Sequence, residues 1–104
     1  MRITIAHSKT KQEVVDSVDR GFDDAFKMQG LPVKLDLQQK TWQGSTMTFA
    51  LNAKVGFMSS PIKGTIDVTD RDVTIDADLG MFGRFVSEDK AREVLSTRFK
   101  GLLT

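Results

Sequence analysis

The sequence contains no cysteine among its 104 residues, and only one histidine, one tryptophan and two prolines. Without cysteine, disulfide bonds, thiolate metal sites and cysteine nucleophiles are excluded, and a reducing compartment poses no difficulty. Long apolar runs are also missing. No stretch approaches the ~18 apolar residues of a membrane span, and the initial MRITIAHSKTKQ lacks the apolar stretch of a signal peptide. We therefore expect a cytoplasmic protein without a transmembrane segment.

Positive and negative charges are nearly balanced, since 15 basic and 14 acidic residues leave a net charge of +1. Binding to nucleic acid through a broad basic face needs concentrated positive charge, so we expect no nucleic-acid partner. The length suits one domain that spans residues 1–104. Apolar residues make up 39% of the chain, somewhat below the usual fraction, but their periodicity is sufficient for one core.

Candidates for catalysis are scarce. His7 is the only histidine, and no serine stands in a nucleophile motif such as G-x-S-x-G. A lone histidine between a strand and a helix is more often a hydrogen-bonding loop residue than a general base. We therefore expect no catalytic residue, no cofactor and no enzymatic activity.

An acidic run, DVTDRDVTIDAD at residues 67–78, offers carboxylates that could bind a hard cation. Asp76 and Asp78 share the polar face of one predicted strand, and Asp67 of the preceding strand joins them. The spacing lacks the glycine and the terminal glutamate of a calcium loop. Cross-strand ion pairs on a solvated face, such as Lys63 opposite Asp78, are the simpler interpretation, and we expect no metal site.

Local patterns predict a strand followed by a helix at the start of the chain. Apolar and polar residues alternate over Arg2–Ala6, which is typical of a strand. Thr10 and Glu13 then match a capping box at a helix N-terminus. The GLP sequence at residues 30–32 predicts the end of this helix. Its apolar face consists of Val14, Val15, Val18, Phe22, Ala25 and Phe26.

Four alternating segments follow, and their phases predict an antiparallel meander with one buried face. A four-residue loop, Met58–Pro61, would place Phe57 opposite Ile62, and a tight turn at residues 70–71 keeps the next pair in phase. The predicted inward positions are Val33, Leu35, Leu37, Met47, Phe49, Leu51, Ala53, Val55, Phe57, Ile62, Ile66, Val68, Val73, Ile75, Ala77 and Leu79.

The sequence allows more than one length and position for the first turn of this meander, because Trp42 lies in phase with the polar face of its strand. A two-residue turn at Gly44 and Ser45 would mix apolar and polar faces. Three-residue loops, either Gln43–Ser45 or Trp42–Gly44, avoid this, and the second places Gly44 where a positive φ is needed. We expect Trp42 at the hairpin tip or on the open face, partly exposed, unless a bulge turns it inward.

A second helix is predicted to begin after Ser87, with Glu88 and Asp89 in its first turn, where the helix dipole favours negative charge. Its apolar stripe consists of Ala91, Val94, Leu95, Phe99 and Leu102. The order is then β-α-β-β-β-β-α. This order predicts a two-layer α+β fold, in which two amphipathic helices cover one face of an antiparallel sheet.

The GMFGRFV segment at residues 80–86 combines two glycines with bulky apolar residues. These side chains either close one end of the core or form an apolar lip that gates a cavity or contacts a hydrophobic partner. Met81, Phe82 and Phe85 are therefore candidate contacts for a partner or ligand, together with Trp42.

Two stretches, KTWQGSTMTF at residues 40–49 and PIKGTIDVTD at residues 61–70, are similar to the polyhydroxyalkanoic acid system proteins. These are small bacterial proteins encoded among genes for polyester storage granules, and the resemblance covers essentially the whole chain. It implies a cytoplasmic role connected with polyhydroxyalkanoate synthesis or granules, with the granule surface or a granule-associated protein as partner. The family supplies no catalytic residue that could be carried over.

The element order also resembles a shortened helix-grip domain of the START and Bet v 1 type, in which an apolar ligand lies between a curved sheet and the last helix. Two functions are therefore considered. The first is a non-enzymatic accessory or binding protein of polyester granules. The alternative is a carrier of a small acyl or hydroxyacyl ligand, which needs a cavity of roughly 300 Å³ or more between sheet and helix. The oligomeric state stays open.

Overall fold

The computed structural model describes residues 1–25, 34–80 and 87–103. Within them the chain forms five strands and two helices in the predicted order. The elements are β1 (Arg2–Ala6), α1 (Lys11–Ala25), β2 (Lys34–Gln43), β3 (Thr46–Val55), β4 (Met58–Val68), β5 (Asp72–Asp78) and α2 (Glu88–Leu103). The predicted helix end at residues 30–32 and the segment at residues 81–86 lie outside the described residues.

The five strands form one open antiparallel sheet in the order β1-β5-β4-β3-β2. Strands β2 to β5 form the predicted meander. Strand β1 is separated from it in sequence by α1 and pairs with β5, with Ile3 opposite Ile75 and Ile5 opposite Val73. Since a strand with the same alternation extends the apolar face, β1 continues the core at this edge. The fold is therefore α+β with the predicted topology.

One face of the sheet carries the core, and both helices pack against it. The buried apolar side chains are Ile3, Ile5, Val14, Val18, Phe22, Met47, Phe49, Leu51, Ala53, Ile62, Ile66, Val68, Val73, Ile75, Ala77, Leu79, Ala91, Leu95, Phe99 and Leu103. The alternate strand positions carry mostly threonine, aspartate and lysine, which leaves the other face polar. This two-layer arrangement follows from the period of two in the strands.

Both helices begin at the predicted caps. The backbone N–H of Glu13 donates to Thr10 Oγ1 at 3.2 Å, and Thr10 Oγ1 donates to Glu13 Oε1 at 3.0 Å. The backbone N–H of Lys90 donates to Ser87 Oγ at 3.1 Å. Each side chain satisfies an N–H that has no partner inside its helix. In α2 the buried stripe runs at intervals of four residues as far as Leu103, which is not among the residues of the predicted stripe.

The β4–β5 register is the predicted one, with Ile66 opposite Ile75 and Lys63 opposite Asp78. The predicted β3–β4 loop is wrong. Its four residues belong to β4, and the turn consists of Gly56 and Phe57, so Leu51 rather than Phe57 is opposite Ile62.

Two features of the β3–β4 hairpin explain this correction. Gly56 has a φ of 60°, as the first residue of a type II′ turn requires. Pro61 is opposite Asn52 of β3, at a point where β5 has already ended. Among the described residues, β4 pairs with β3 alone at this position, and a residue without an N–H is tolerated there.

The β2–β3 turn differs from the favoured three-residue loop. It consists of Gly44, with a φ of 61°, and Ser45. The mixing of faces that this turn would cause is resolved by an irregularity at Gln38. On one side of it Leu37 is opposite Leu51, and on the other side Lys40 is opposite Phe49. A β-bulge of this kind reverses the facing of every later residue in the strand.

Gly64 lies in β4 directly opposite Phe49 of β3. A Cβ at Gly64 would meet the carbonyl oxygen of Asp76, and it would lie 2.7 Å from Phe49 Cζ and 3.0 Å from Ala77 Cα. The buried ring of Phe49 therefore occupies the place where a side chain of residue 64 would lie. The φ of Gly64 is not positive, so the backbone conformation alone does not require a glycine here. Packing against Phe49 does.

We predict that Gly64→Ala lowers the free energy of unfolding by about 1–3 kcal/mol, because the added methyl group overpacks the core. Gly101→Ala is the control, since a Cβ there meets no atom within 4 Å and α2 gains helix propensity. Urea titration followed by Trp42 fluorescence measures both. Equal midpoints for the two variants would contradict the packing argument.

Candidate functional site

Trp42 lies on the helix-covered face of the sheet, opposite Met47, and is partly exposed. The predicted partial exposure is confirmed, but its predicted position at the hairpin tip or on the open face is wrong. The bulge at Gln38 turns the ring inward, where it packs against the core. Its indole Nε1–H donates to Asp19 Oδ1 of α1 at 2.8 Å. Trp42 therefore joins the edge of the sheet to α1.

Lys40 binds the same carboxylate. Its Nζ lies 3.2 Å from Asp19 Oδ1 and donates to the carbonyl oxygen of Asp19 at 3.1 Å. The ammonium group also lies 5.9 Å from the centroid of the Phe22 ring, a distance that permits a cation–π contact. These contacts explain how a lysine can stand on the core-facing side of an edge strand, since its charge is paired and its stem covers apolar surface.

The pKa of Asp19 lies below its ordinary value of 3.8. The hydrogen bond from Trp42 is the largest cause, followed by the hydrogen bond from Lys40, and both favour the ionised carboxylate. The side chain is 48% exposed, so solvent screens these interactions. The cluster of Asp19, Lys40 and Trp42 is thus a structural clamp with an accessible carboxylate.

We predict that Asp19→Asn lowers the free energy of unfolding at neutral pH by about 0.5–1 kcal/mol, the scale of an exposed charged pair. Because the folded-state pKa is depressed, this contribution is present above the unfolded value of 3.8 and is lost as the pH falls through the lowered pKa. The difference between wild type and variant should therefore shrink in strong acid. Urea titrations at neutral pH and at low pH measure it, using Trp42 emission.

Glu93→Gln is the control for the acid experiment, since Glu93 is an exposed carboxylate on α2. It should leave the neutral-pH stability nearly unchanged. A difference between wild type and Asp19→Asn that is the same at both pH values would show that the charge of Asp19 does not strengthen the clamp.

The β3–β4 turn presents an apolar surface that the alternation of the sequence does not predict. Phe57 is fully exposed, and Met58 next to it is 42% exposed. Leu37 is 41% exposed and lies in the third core-facing row from this turn, in line with Leu51 and Ile62. Among the described residues, these are the exposed large apolar side chains. We call Phe57 and Met58 the apolar tip.

The alternation in the sequence does not predict the apolar tip, because the period of two continues through Phe57. Alternation places Phe57 in phase with Val55 and Ala53, which predicts the loop at Met58–Pro61 rather than at Gly56 and Phe57. The signal that could have found it is Gly56, since a glycine followed by one residue between two alternating runs is typical of a type II′ turn. The second residue of such a turn leaves the plane of the sheet.

Met81, Phe82 and Phe85, the other candidate contacts, lie outside the described residues. The chain enters this segment from Gly80, which has a φ of 55°. A Cβ at Gly80 would lie 3.2 Å from Ser60 Oγ and 3.3 Å from the carbonyl oxygen of Pro61. Gly80 therefore lies beside the first residues of β4, at the end of the sheet that carries the apolar tip.

His7 follows β1 and is held by three hydrogen bonds. Its backbone N–H donates to Arg71 O at 2.9 Å, and its ring Nε2 lies 2.8 Å from Thr69 O. The backbone N–H of Lys9 donates to ring Nδ1 at 3.2 Å. The Thr69 carbonyl needs a donor and the Lys9 N–H needs an acceptor. The tautomer with the proton on Nε2 therefore satisfies both ring nitrogens. Neither nitrogen is available as a base in this arrangement, which agrees with the interpretation as a loop residue.

The acidic run is dispersed over the polar face. Asp76 is opposite Arg2 on one side and Thr65 on the other, and Thr46 Oγ1 donates to Asp67 Oδ1 at 2.8 Å. Asp72 accepts from Thr69 Oγ1 at 2.9 Å. No group of three or more potential ligands that could hold a metal ion occurs in the part of the chain that the structure describes.

A surface hollow of about 340 Å³ lies where the end of β1 meets the last turn of α2. Its lining residues are Ala6, His7, Ser8, Lys100 and Leu103. Its size reaches that expected of a small-ligand site. Its place differs from the expected opening near residues 80–86, because Ala6 is opposite Asp72 at the start of β5, whereas Gly80 follows the end of β5.

Across residues 1–25, 34–80 and 87–103, no helix is both long and apolar enough to cross a membrane. Comparison of the chain with protein-family models, with curated proteins and with solved structures finds no match.

Proposed function

We propose that this protein is a non-enzymatic accessory protein of polyhydroxyalkanoate storage, and that it binds the apolar granule surface through the apolar tip. The observation that carries the proposal is the complete exposure of Phe57 at the end of a β-hairpin. The resemblance of residues 40–49 and 61–70 to polyhydroxyalkanoic acid system proteins supplies the granule as the surface.

The free energy of contact comes from apolar area removed from water. Transfer of one fully exposed phenylalanine side chain to an apolar phase is worth about 1.5–3 kcal/mol, and Met58 adds to it. The turn is short and begins with Gly56, whose positive φ suits type II′ geometry. A two-residue turn loses little conformational freedom when its tip enters a surface. Binding by this tip alone is therefore expected to be weak and reversible.

The neighbouring charge is compatible with such contact. Lys54, near the turn on β3, lies 3.4 Å from Asp36 Oδ2 on β2. This pair is neutral overall, so its contact with a surface would not desolvate an unpaired charge, and the exposed Lys34 opposite Lys54 can keep its ammonium group in water. Trp42 is engaged with Asp19, so it is less suited to contact than Phe57. Met81, Phe82 and Phe85 stay predicted contacts from sequence.

We predict that Phe57→Ser combined with Met58→Ser reduces co-sedimentation with washed polyhydroxyalkanoate granules at least about tenfold, since it removes the apolar side chains that carry the contact. Both residues are exposed, so the variant should retain the circular dichroism spectrum and the urea midpoint of the wild type. Phe57→Leu should retain most of the binding, because it keeps an apolar side chain at the turn.

Ser45→Ala is the matched control, since Ser45 is the second residue of the other type II′ turn. It should sediment with granules as the wild type does. A folded Phe57→Ser, Met58→Ser protein that sediments equally well would overturn the role of the tip. Loss of binding in Phe82→Ser, Phe85→Ser alone would move the contact to residues 81–86.

A further inference from the structure

The hollow between β1 and α2 lies at the opposite end of the sheet from the apolar tip. The β4–β5 turn, which follows Val68, and the end of β1 border this end, whereas the tip lies between β3 and β4 at the other. A molecule bound in the hollow would therefore leave the tip free. The hollow is an independent feature, and no step of the proposed function uses it.

One rim of the hollow is held in place by hydrogen bonds. The bonds from the His7 backbone to Arg71 O and from its ring to Thr69 O join this rim to the β4–β5 turn. The bond from Lys9 N–H to the His7 ring closes the loop before α1. Since the rim exists before any ligand arrives, binding would not require the loop to become ordered.

The chemistry of the lining is asymmetric. The described residues that line it carry one ammonium group, on Lys100, one hydroxyl group, on Ser8, and the imidazole of His7, and none of these described residues carries a carboxylate. Lys100 is exposed and forms no ion pair with the described residues. Leu103 and Ala6 supply apolar surface beside these polar groups. Lys100 lies in the last turn of α2, where the helix dipole favours a positive charge. This favourable interaction does not depend on a bound ligand.

We propose that this hollow binds a small monocarboxylate with a short apolar chain. The carboxylate accepts hydrogen bonds from Lys100 Nζ and from the Ser8 hydroxyl, while the chain covers Leu103 and Ala6. The volume of about 340 Å³ is at the lower end for ligand sites, which restricts the class to small molecules. Because Lys100 is exposed, we expect a dissociation constant on the order of 1 mM or weaker.

The test is a titration of the ¹⁵N-labelled full chain with sodium butyrate, followed by amide chemical shifts in NMR. Butyrate should produce saturable shifts at Ala6, Ser8 and residues 100–103. Butyramide, which keeps the apolar chain and lacks the charge, should bind more weakly by up to about fivefold, the loss expected for one exposed charged contact. Inorganic phosphate, which keeps negative charge and lacks the chain, should also bind more weakly than butyrate, because it covers no apolar surface. Sodium chloride at equal ionic strength is the reference.

Lys100→Gln should weaken butyrate binding by about two- to fivefold. Lys90→Gln, at an exposed position in the first turn of the same helix, is the matched control and should bind as the wild type does. The proposal is overturned if butyrate gives no saturable shift at the hollow, if both lysine variants bind equally, or if phosphate or butyramide binds as tightly as butyrate. Phe57→Ser, Met58→Ser should bind butyrate normally, which separates this test from that of the granule contact.

Discussion

Burial of one sheet face beneath two amphipathic helices is the constraint on which the rest of this structure depends. The strands place apolar residues on that face at alternate positions, apart from Lys40, Ser60 and Gly64, so each strand pair must keep its phase. Where the alternation of a strand does not match that of its neighbour, an extra residue restores the register, as the bulge at Gln38 does between β2 and β3. Where a large ring fills the core, the residue opposite it has no side chain, as Gly64 shows opposite Phe49. The polar face is then free to vary in chemistry without effect on the core.

The same constraint determines what happens at the β2 edge. After the bulge, Lys40 and Trp42 face the helices rather than solvent. An edge strand has one neighbour in the sheet, so contacts with α1 supply part of its anchoring. Asp19 provides them by accepting from both side chains. The tryptophan that resembled an outward contact is thus chiefly a link between the two layers of the fold.

The two ends of the sheet have different chemistry. One end carries an exposed phenylalanine and methionine on a tight turn, which suits contact with an apolar surface. The other carries a hollow whose lining pairs an ammonium group with apolar side chains. His7, the residue whose type most resembles catalytic machinery, has both ring nitrogens hydrogen-bonded and serves to hold the rim. The two binding proposals therefore rest on separate parts of the sheet and on different chemistry.

Local sequence by itself determined the elements, the helix caps and the identity of the buried face, because periodicity and capping act over a few neighbouring residues. It also determined the β4–β5 register, since both strands bordering the short turn alternate without interruption. Tertiary structure alone decided the facing of Trp42 and the exposure of Phe57. Each depends on a one-residue change in register, and the energies that select a bulge or a two-residue turn come from cross-strand and helix contacts distant in sequence. The hollow was likewise decided by tertiary structure, because its two walls are separated by most of the chain.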